Sequence, residues 1–170
     1  MVKWQYDGSI RPRWADAPQA GQESVWDYPR PPVIVADSRN VTVSTSASAI
    51  ARTSRAKRVC ETAGPPTWYL PQTDVDMAQL QVLAGTSVCE WKGGARYYSL
   101  HGETRAVAWD YPAPNTAYRL LTDHIAFYPG RVVCIVDGER VRAQDGDFYG
   151  GWVTDDIAGP WKGPPGTAHW

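Results

Sequence analysis

The chain has 170 residues, a formal net charge of −1 and 43% hydrophobic residues, which is enough for one domain with a substantial core. The balanced charge exerts no general attraction on nucleic acid or anionic membranes, so neither is expected as a partner. No apolar run approaches the roughly 18 residues of a membrane span, and the first residues, MVKWQYDGSIRPRW, lack the apolar segment of a secretory signal.

Residues 1–31 predict an extended N-terminal arm. They contain four prolines and three tryptophans but little hydrophobic periodicity. Proline restricts the preceding residue to extended conformations, so such a segment favours irregular structure. We expect this arm to be anchored to the rest of the protein near Trp26-Asp27-Tyr28-Pro29.

Residues 32–143 predict a core of short antiparallel strands, because β-branched or alternating runs are separated by clusters of turn-forming residues. Helix is expected only as a turn near Asp74–Met77 and as a short helix over about 116–123 that Asn115 caps. Asp137-Gly138 predicts a hairpin turn between the last two strands. The predicted strands are Val33–Ala36, Val41–Thr45, Ala49–Arg52, Ala56–Glu61, Thr67–Leu70, Ile125–Tyr128, Arg131–Val136 and Glu139–Ala143.

Residues 87–112 carry most of the groups that are capable of binding or chemistry. Within them, Gly93-Gly94 predicts a two-residue hairpin loop with positive φ at both glycines. That register places Lys92 and Tyr97 on one face of the hairpin and Cys89 on the other. One extra loop residue would invert these faces.

Residues 144–170 shift to a composition rich in Gly, Pro and Trp, which predicts a second irregular arm packed on the core. Short strands at intervals of about 8–12 residues, with hardly any helix, are typical of β-sandwiches and barrels. The sequence therefore predicts an all-β, mainly antiparallel single domain with one or two short helices and an irregular arm at each end.

Five motifs follow one another along the chain: Ser24-Val25-Trp26-Asp27-Tyr28-Pro29-Arg30-Pro31-Pro32, Pro65-Pro66-Thr67-Trp68-Tyr69-Leu70-Pro71, Cys89-Glu90-Trp91-Lys92-Gly93, Ala108-Trp109-Asp110-Tyr111-Pro112 and Ala126-Phe127-Tyr128-Pro129-Gly130-Arg131. In sequence and order they resemble the bacterial domain-of-unknown-function 427 family, over roughly residues 24–170. The resemblance implies a β-tent architecture, like that of zinc-binding exchange-factor chaperones and methionine sulfoxide reductases. It implies no activity.

The family also carries a nucleotidyltransferase-like label. The chain has no Gly-Ser signature with paired carboxylates, which would hold two metal ions for nucleotidyl transfer. Ala63-Gly64 replaces a polar Ser-His pair that is common in the family, so no role for that His carries over.

No zinc and no other cofactor is expected. A structural zinc site needs four Cys or His ligands, usually in close pairs. Cys60, Cys89 and Cys134 are isolated, and no His pair has a suitable spacing. An odd number of cysteines without framework spacing favours reduced thiols and a cytoplasmic location.

Two sets of residues are candidates for catalysis. Glu61, Lys92 and Tyr97 combine a carboxylate, an ammonium and a phenol, which can bind a polar or anionic ligand or act as acid and base. Cys89 is a candidate nucleophile, provided that a cation or the imidazole of His101 activates its thiol. The competing interpretation of Cys89 as a small buried hydrophobe is favoured, because the predicted pairing separates it from His101.

Six aromatic side chains are expected to wall a pocket for a flat or apolar small molecule. Trp26 and Trp161 in the arms are candidates for a lid over this pocket, whereas Lys162 is expected to be solvated. The same aromatic residues also fit a core that the two arms seal. The six are Trp68, Tyr69, Trp91, Trp109, Tyr111 and Tyr128.

These patterns predict a protein that binds an unidentified small molecule in an aromatic pocket with one Lys/Glu/Tyr cluster. One alternative is an enzyme that uses this cluster for acid–base chemistry, or Cys89 as a nucleophile. Another alternative is an interaction module, or a homodimer, built on the aromatic arms.

Overall fold

The computed structural model describes residues 4–170, so the first three residues of the predicted arm lie outside the described range. The protein is mainly β, as predicted, with fifteen strands in this range. They are β1 (Glu23–Ser24), β2 (Val33–Asp37), β3 (Val41–Ser44), β4 (Ala49–Thr53), β5 (Ala56–Cys60), β6 (Thr67–Pro71), β7 (Leu80–Cys89), β8 (Gly93–Leu100), β9 (Ala108–Asp110), β10 (His124–Phe127), β11 (Val133–Val136), β12 (Glu139–Arg140), β13 (Arg142–Ala143), β14 (Trp152–Val153) and β15 (Ile157–Ala158).

Helix is confined to four short 3-10 segments in the described range, rather than the one or two helices predicted. They are Val25–Asp27, Gln72–Asp74, Met77–Gln79 and Thr116–Leu121. The last begins where the sequence predicted it, but the Asn115 side chain does not cap it. No helix of residues 4–170 is long and apolar enough to cross a membrane.

The strands form two main antiparallel sheets. Seven strands pair in the order β2-β5-β6-β10-β9-β8-β7, and four pair in the order β12-β11-β3-β4. The main core lies between these sheets, where Val43 and Cys134 of the smaller sheet share one cluster with Trp68 and Phe127 of the larger one. The opposite face of the larger sheet carries a second, aromatic cluster that includes Tyr69 and Trp109. The larger sheet is therefore covered on both faces in its middle.

The N-terminal and C-terminal arms meet in the described structure. Strand β1 pairs in parallel with β15, Glu23 opposite Ile157 and Ser24 opposite Ala158. A third hydrophobic cluster joins this pair to the larger sheet: Val25, Trp26, Tyr28, Cys60, Ala63 and Ile157. Burial raises the pKa of the Cys60 thiol to about 11, so this cysteine is a protonated apolar residue at neutral pH.

The two predicted hairpin turns have different outcomes. Asp137-Gly138 joins β11 to β12 with positive φ at both residues (46° and 85°), which confirms that prediction. The register predicted for Gly93-Gly94 is wrong, because the turn is the three-residue segment 90–92 and Cys89 lies opposite Gly93. Of the two glycines only Gly93 has positive φ, at 101°.

Candidate functional site

A cavity of about 310 Å³ opens on the aromatic face of the larger sheet. Its wall contains nine of the ten side chains predicted from the sequence as catalytic or ligand-binding residues, although the predicted hairpin register was wrong. They are Glu61, Tyr69, Cys89, Trp91, Lys92, Tyr97, Trp109, Tyr111 and Tyr128.

Trp68, the tenth predicted residue, lies on the other face of the sheet and is not part of the cavity. Successive side chains of a strand point to opposite faces, so Trp68 and its neighbour Tyr69 on β6 belong to different clusters. Trp68 stacks on Trp152 in the main core, with ring centroids 5.5 Å apart. Its predicted role in the pocket wall is therefore corrected to a packing role.

The aromatic wall follows one row across four neighbouring strands. Tyr97 of β8 lies opposite Trp109 of β9, Trp109 opposite Ala126 of β10, and Ala126 opposite Tyr69 of β6. The small side chain of Ala126 leaves room for the two large rings beside it, whose centroids are 6.3 Å apart at 81°. Tyr128 closes the row, with its ring centroid 4.5 Å from that of Trp109. Cross-strand pairing thus aligns these side chains on one surface.

The turn between β7 and β8 carries Lys92 into the cavity. The backbone amide of Asn115 donates to the Lys92 carbonyl (3.0 Å), and its side-chain amide donates to the Trp91 carbonyl (2.8 Å). Asn115 therefore serves this turn instead of capping a helix. Gly93 follows with positive φ, and a Cβ there would lie 3.3 Å from the Asn115 Oδ1 atom. Two hydrogen bonds from Asn115 therefore hold the turn.

Lys92 is a buried lysine whose ammonium lies beside an aromatic ring and a thiol. Only 9% of the residue is exposed, and its Nζ atom lies 5.7 Å from the centroid of the Tyr111 ring. Burial alone would lower the pKa of Lys92, but the neighbouring Tyr111 and Cys89 side chains, together with Glu61, outweigh it and raise that pKa. Burial also raises the pKa of Tyr111, so its phenol stays protonated at neutral pH. Lys92 is therefore an ammonium next to a neutral ring.

Glu61 lies in the same cavity but pairs with other cations. Its Oε1 atom accepts from Arg30 Nε at 3.1 Å and lies 4.0 Å from Lys162 Nζ. Arg30 also donates to the Thr62 carbonyl (2.8 Å), which fixes the guanidinium beside this carboxylate. Within residues 4–170, Lys92 and Glu61 do not form an ion pair within 4.0 Å. The two predicted partners thus share a cavity without direct contact.

Cys89 has no imidazole to activate its thiol in the described structure. It lies opposite Gly93 at the turn end of the hairpin, whereas His101 follows Leu100 at the far end. At about 3.4 Å per residue, the two are separated by more than about 20 Å along the strand. His101 therefore does not reach Cys89, as the sequence pairing already indicated, and Lys92 is the cation beside this thiol.

Several cavity residues come from the two arms and were not predicted. Lys162, expected to be solvated, is mostly buried, and its Nζ atom lies 5.1 Å from the Tyr149 ring centroid. Burial, with Arg30 and Lys92 nearby, lowers the pKa of Lys162 even though Glu61 opposes this. The predicted lid residues Trp26 and Trp161 pack elsewhere, in the cluster that joins the chain ends. The arms instead contribute Trp4, Gln144, Phe148, Tyr149, Gly150, Gly151 and Lys162.

The backbone at Gly150 packs directly on the aromatic wall. A Cβ at this position would lie 2.1 Å from the Trp109 ring, so only glycine permits this approach. The Gly-Gly pair at 150–151 was the one local signal in the sequence for a close backbone contact here.

A second groove lies between the smaller sheet and the 3-10 segment Gln72–Asp74. No aromatic side chain lines it, and its Asp74 already pairs with Arg55 at 2.6 Å. No group of three or more His, Cys, Asp or Glu side chains in residues 4–170 is arranged to hold a metal ion. The aromatic cavity is therefore the better candidate site.

No curated protein matches the chain. The sequence profile of the family described as Domain of unknown function (DUF427) matches residues 33–138, which is more than half of the chain. The match includes the strands of the aromatic row and the turn that carries Lys92. The chain therefore belongs to the DUF427 family.

Proposed function

We propose that the protein binds a small molecule with a flat, apolar body in the aromatic cavity, without covalent attachment. The observation that carries this proposal is the composition of the cavity wall, in which a row of aromatic rings faces a few buried charged groups. Ligand sites in proteins typically combine apolar walls with a small number of polar groups that fix orientation.

The size of the cavity supports a compact ligand. Its volume of about 310 Å³ is at the lower end of the range for small-molecule sites, which runs from roughly 300 to 1,000 Å³. A compound with one or two aromatic rings is the size that we expect.

The mouth of the cavity supports an apolar ligand as well. Val88 and Phe148 line it, and they are 82% and 76% exposed. Large apolar side chains that remain this exposed beside a cavity are typical of binding surfaces.

The alternative functions have less support. Acid–base catalysis by Glu61 and Lys92 requires a shared substrate to bridge them, and the Tyr97 hydroxyl is engaged with Ser87 at 2.7 Å. An interaction module built on the arms would present their aromatic rings. Trp26 is fully buried, however, and in residues 4–170 the exposed aromatic residues of the arms are Trp14 and Phe148, the second of which lines the cavity.

The proposal is tested with a set of one- and two-ring aromatic compounds that includes anions, neutral molecules and cations. Saturation-transfer NMR would measure their binding to the wild type and to Ser87→Tyr, which adds a phenol at the cavity wall. Thr86→Tyr is the matched control, because Thr86 is the neighbouring residue on β7, is exposed and does not line the cavity.

We expect some compounds to bind the wild type and Thr86→Tyr and to lose binding in folded Ser87→Tyr, because the added ring occupies their space. If no compound of any charge binds the wild type, the proposal is overturned. It is equally overturned if every compound that binds the wild type also binds Ser87→Tyr with unchanged affinity.

A further inference from the structure

The ammonium of Lys92 has no anionic partner in the described structure. The residue is more than nine-tenths buried and lines the cavity, yet within residues 4–170 its Nζ atom has no carboxylate within 4.0 Å and makes no hydrogen bond to an oxygen. Burying a charge is costly unless that charge is paired and hydrogen-bonded. A ring face and a thiol are weak compensation for such a group.

The backbone of the turn fixes the position of Lys92 at the cavity. Asn115 holds the turn through hydrogen bonds to two successive carbonyls, at positions 91 and 92. The positive φ of Gly93 then directs the chain into β8. Since Asn115 fixes the backbone at residues 91 and 92, the Lys92 side chain starts from a defined position at the cavity wall.

The other charges around the cavity leave this ammonium uncompensated. Glu61 is bound by Arg30 and lies beside Lys162, so its single negative charge faces two other cations. Glu90 lies in the same turn as Lys92, but it is exposed to solvent, which screens it. The charged side chains that line the cavity are thus two carboxylates and two ammonium groups, but within residues 4–170 neither carboxylate lies within 4.0 Å of Lys92 Nζ.

We propose that the ligand of this cavity carries a planar oxyanion, such as a carboxylate, on its aromatic body, and that Lys92 binds this anion. The inference deepens the proposed function and rests on it. The aromatic row would hold the body of the ligand, and Lys92, next to Tyr111 at the end of the wall, would supply a charge-assisted hydrogen bond to the anion.

The first test needs no variant and uses three probes of the same shape. They are 2-naphthoate, neutral 2-naphthamide and the cation 2-naphthylmethylammonium, each titrated into the wild type by isothermal calorimetry near neutral pH. We expect 2-naphthoate to bind roughly 10- to 100-fold more tightly than 2-naphthamide. A hydrogen bond between charged groups is stronger than one to a neutral amide by a free energy that corresponds to about this ratio of affinities. The cation should bind most weakly.

The second test removes the charge and keeps most of the side-chain length. Lys92→Met should reduce the affinity for 2-naphthoate to about that of 2-naphthamide, and it should leave the affinity for 2-naphthamide within about threefold. Lys57→Met is the matched control, because Lys57 lies on the same sheet opposite Tyr69 but outside the cavity. It should bind both probes as the wild type does.

The outcomes separate this inference from the proposed function. If the neutral probe or the cation binds as tightly as 2-naphthoate, the inference is overturned while binding in the cavity stands. The same holds if folded Lys92→Met retains its preference for 2-naphthoate. If none of the three probes binds, while the wider set of compounds does, the inference is again overturned. Should Lys92→Met fail to fold, the wild-type comparison of the three probes decides alone.

Discussion

At the scale of single residues, the two lysines of the cavity are perturbed in opposite directions. Burial by itself would lower the pKa of both lysines, but the balance of the neighbouring groups differs between them. At Lys92 the Tyr111 and Cys89 side chains, with Glu61, outweigh burial and raise the pKa. At Lys162 burial, with Arg30 and Lys92 nearby, outweighs the opposing effect of Glu61 and lowers the pKa. Lys92 is thus the more persistent cation, and an anionic ligand would be held mainly there.

A second residue-scale feature is the ion pair that links the N-terminal arm to the larger sheet. Both carboxylate oxygens of Glu23 accept from Arg58, at 2.9 and 3.1 Å, and Oε2 also accepts from the Tyr28 hydroxyl. The bonds from Arg58, with a smaller contribution from Tyr28, lower the pKa of Glu23 despite its partial burial.

This pair predicts a pH-dependent loss of stability. Because the pKa of Glu23 in the folded state is below its unfolded value, the stabilisation is present above about pH 4.5 and is lost as the pH falls through the folded-state pKa. Glu23→Gln should therefore lower the urea midpoint at about pH 7 and have a smaller effect at about pH 3. Glu103→Gln, at an exposed site without an ion pair in the described range, is the control. An equal deficit of Glu23→Gln at both pH values would contradict the prediction.

At the scale of elements, the β7–β8 hairpin shows why the turn length could not be taken from the Gly-Gly pair. Two successive glycines fit a two-residue loop, but they fit equally well the start of a strand after a three-residue turn. The choice between these depends on contacts with Asn115, more than twenty residues further along the chain. A local pattern does not contain that information.

The two glycines should respond differently to substitution. Gly93→Ala places a Cβ at φ 101° and 3.3 Å from Asn115 Oδ1, so we expect a loss of roughly 1–2 kcal/mol in the free energy of unfolding. Gly94→Ala meets no atom within 4 Å and has no positive φ, so its effect should stay within about 0.5 kcal/mol. Urea denaturation of both variants gives the comparison. A similar loss for both would indicate a different turn.

At the scale of the whole molecule, the described parts of both arms are built into the fold. The arms supply one strand pair, one hydrophobic cluster and about a third of the cavity wall. Trp26 is the centre of the cluster, and its indole nitrogen donates to the Pro160 carbonyl at 2.8 Å. The cavity is therefore completed only when both arms are in place.

Trp26 should consequently contribute to global stability. Trp26→Ala removes a fully buried indole, so we expect a loss of about 3–5 kcal/mol, measured by urea denaturation. Trp14→Ala, at a position that is 45% exposed and packs on the same cluster, should cost about 1 kcal/mol. Circular dichroism and tryptophan fluorescence should report one common transition in the wild type. Separate transitions would mean that the arms unfold independently of the sheets.

The sequence alone determined the fold class, most strand positions, the Asp137-Gly138 turn and membership of the DUF427 family. It also selected nine residues that line the cavity. These features depend on local information, since side-chain alternation and turn chemistry act over a few residues. A short β-branched run between turn residues therefore forms a strand in most tertiary contexts.

Only the tertiary structure decided which faces and which distant segments meet. It placed Trp68 in the main core, moved Lys162 from solvent into the cavity and gave Glu61 the partners Arg30 and Lys162 in place of Lys92. These outcomes depend on strand register and on the packing of both arms. Each is set by contacts between residues that are far apart in the chain. In such contacts the free energy of burying side chains exceeds the local conformational preference of the sequence.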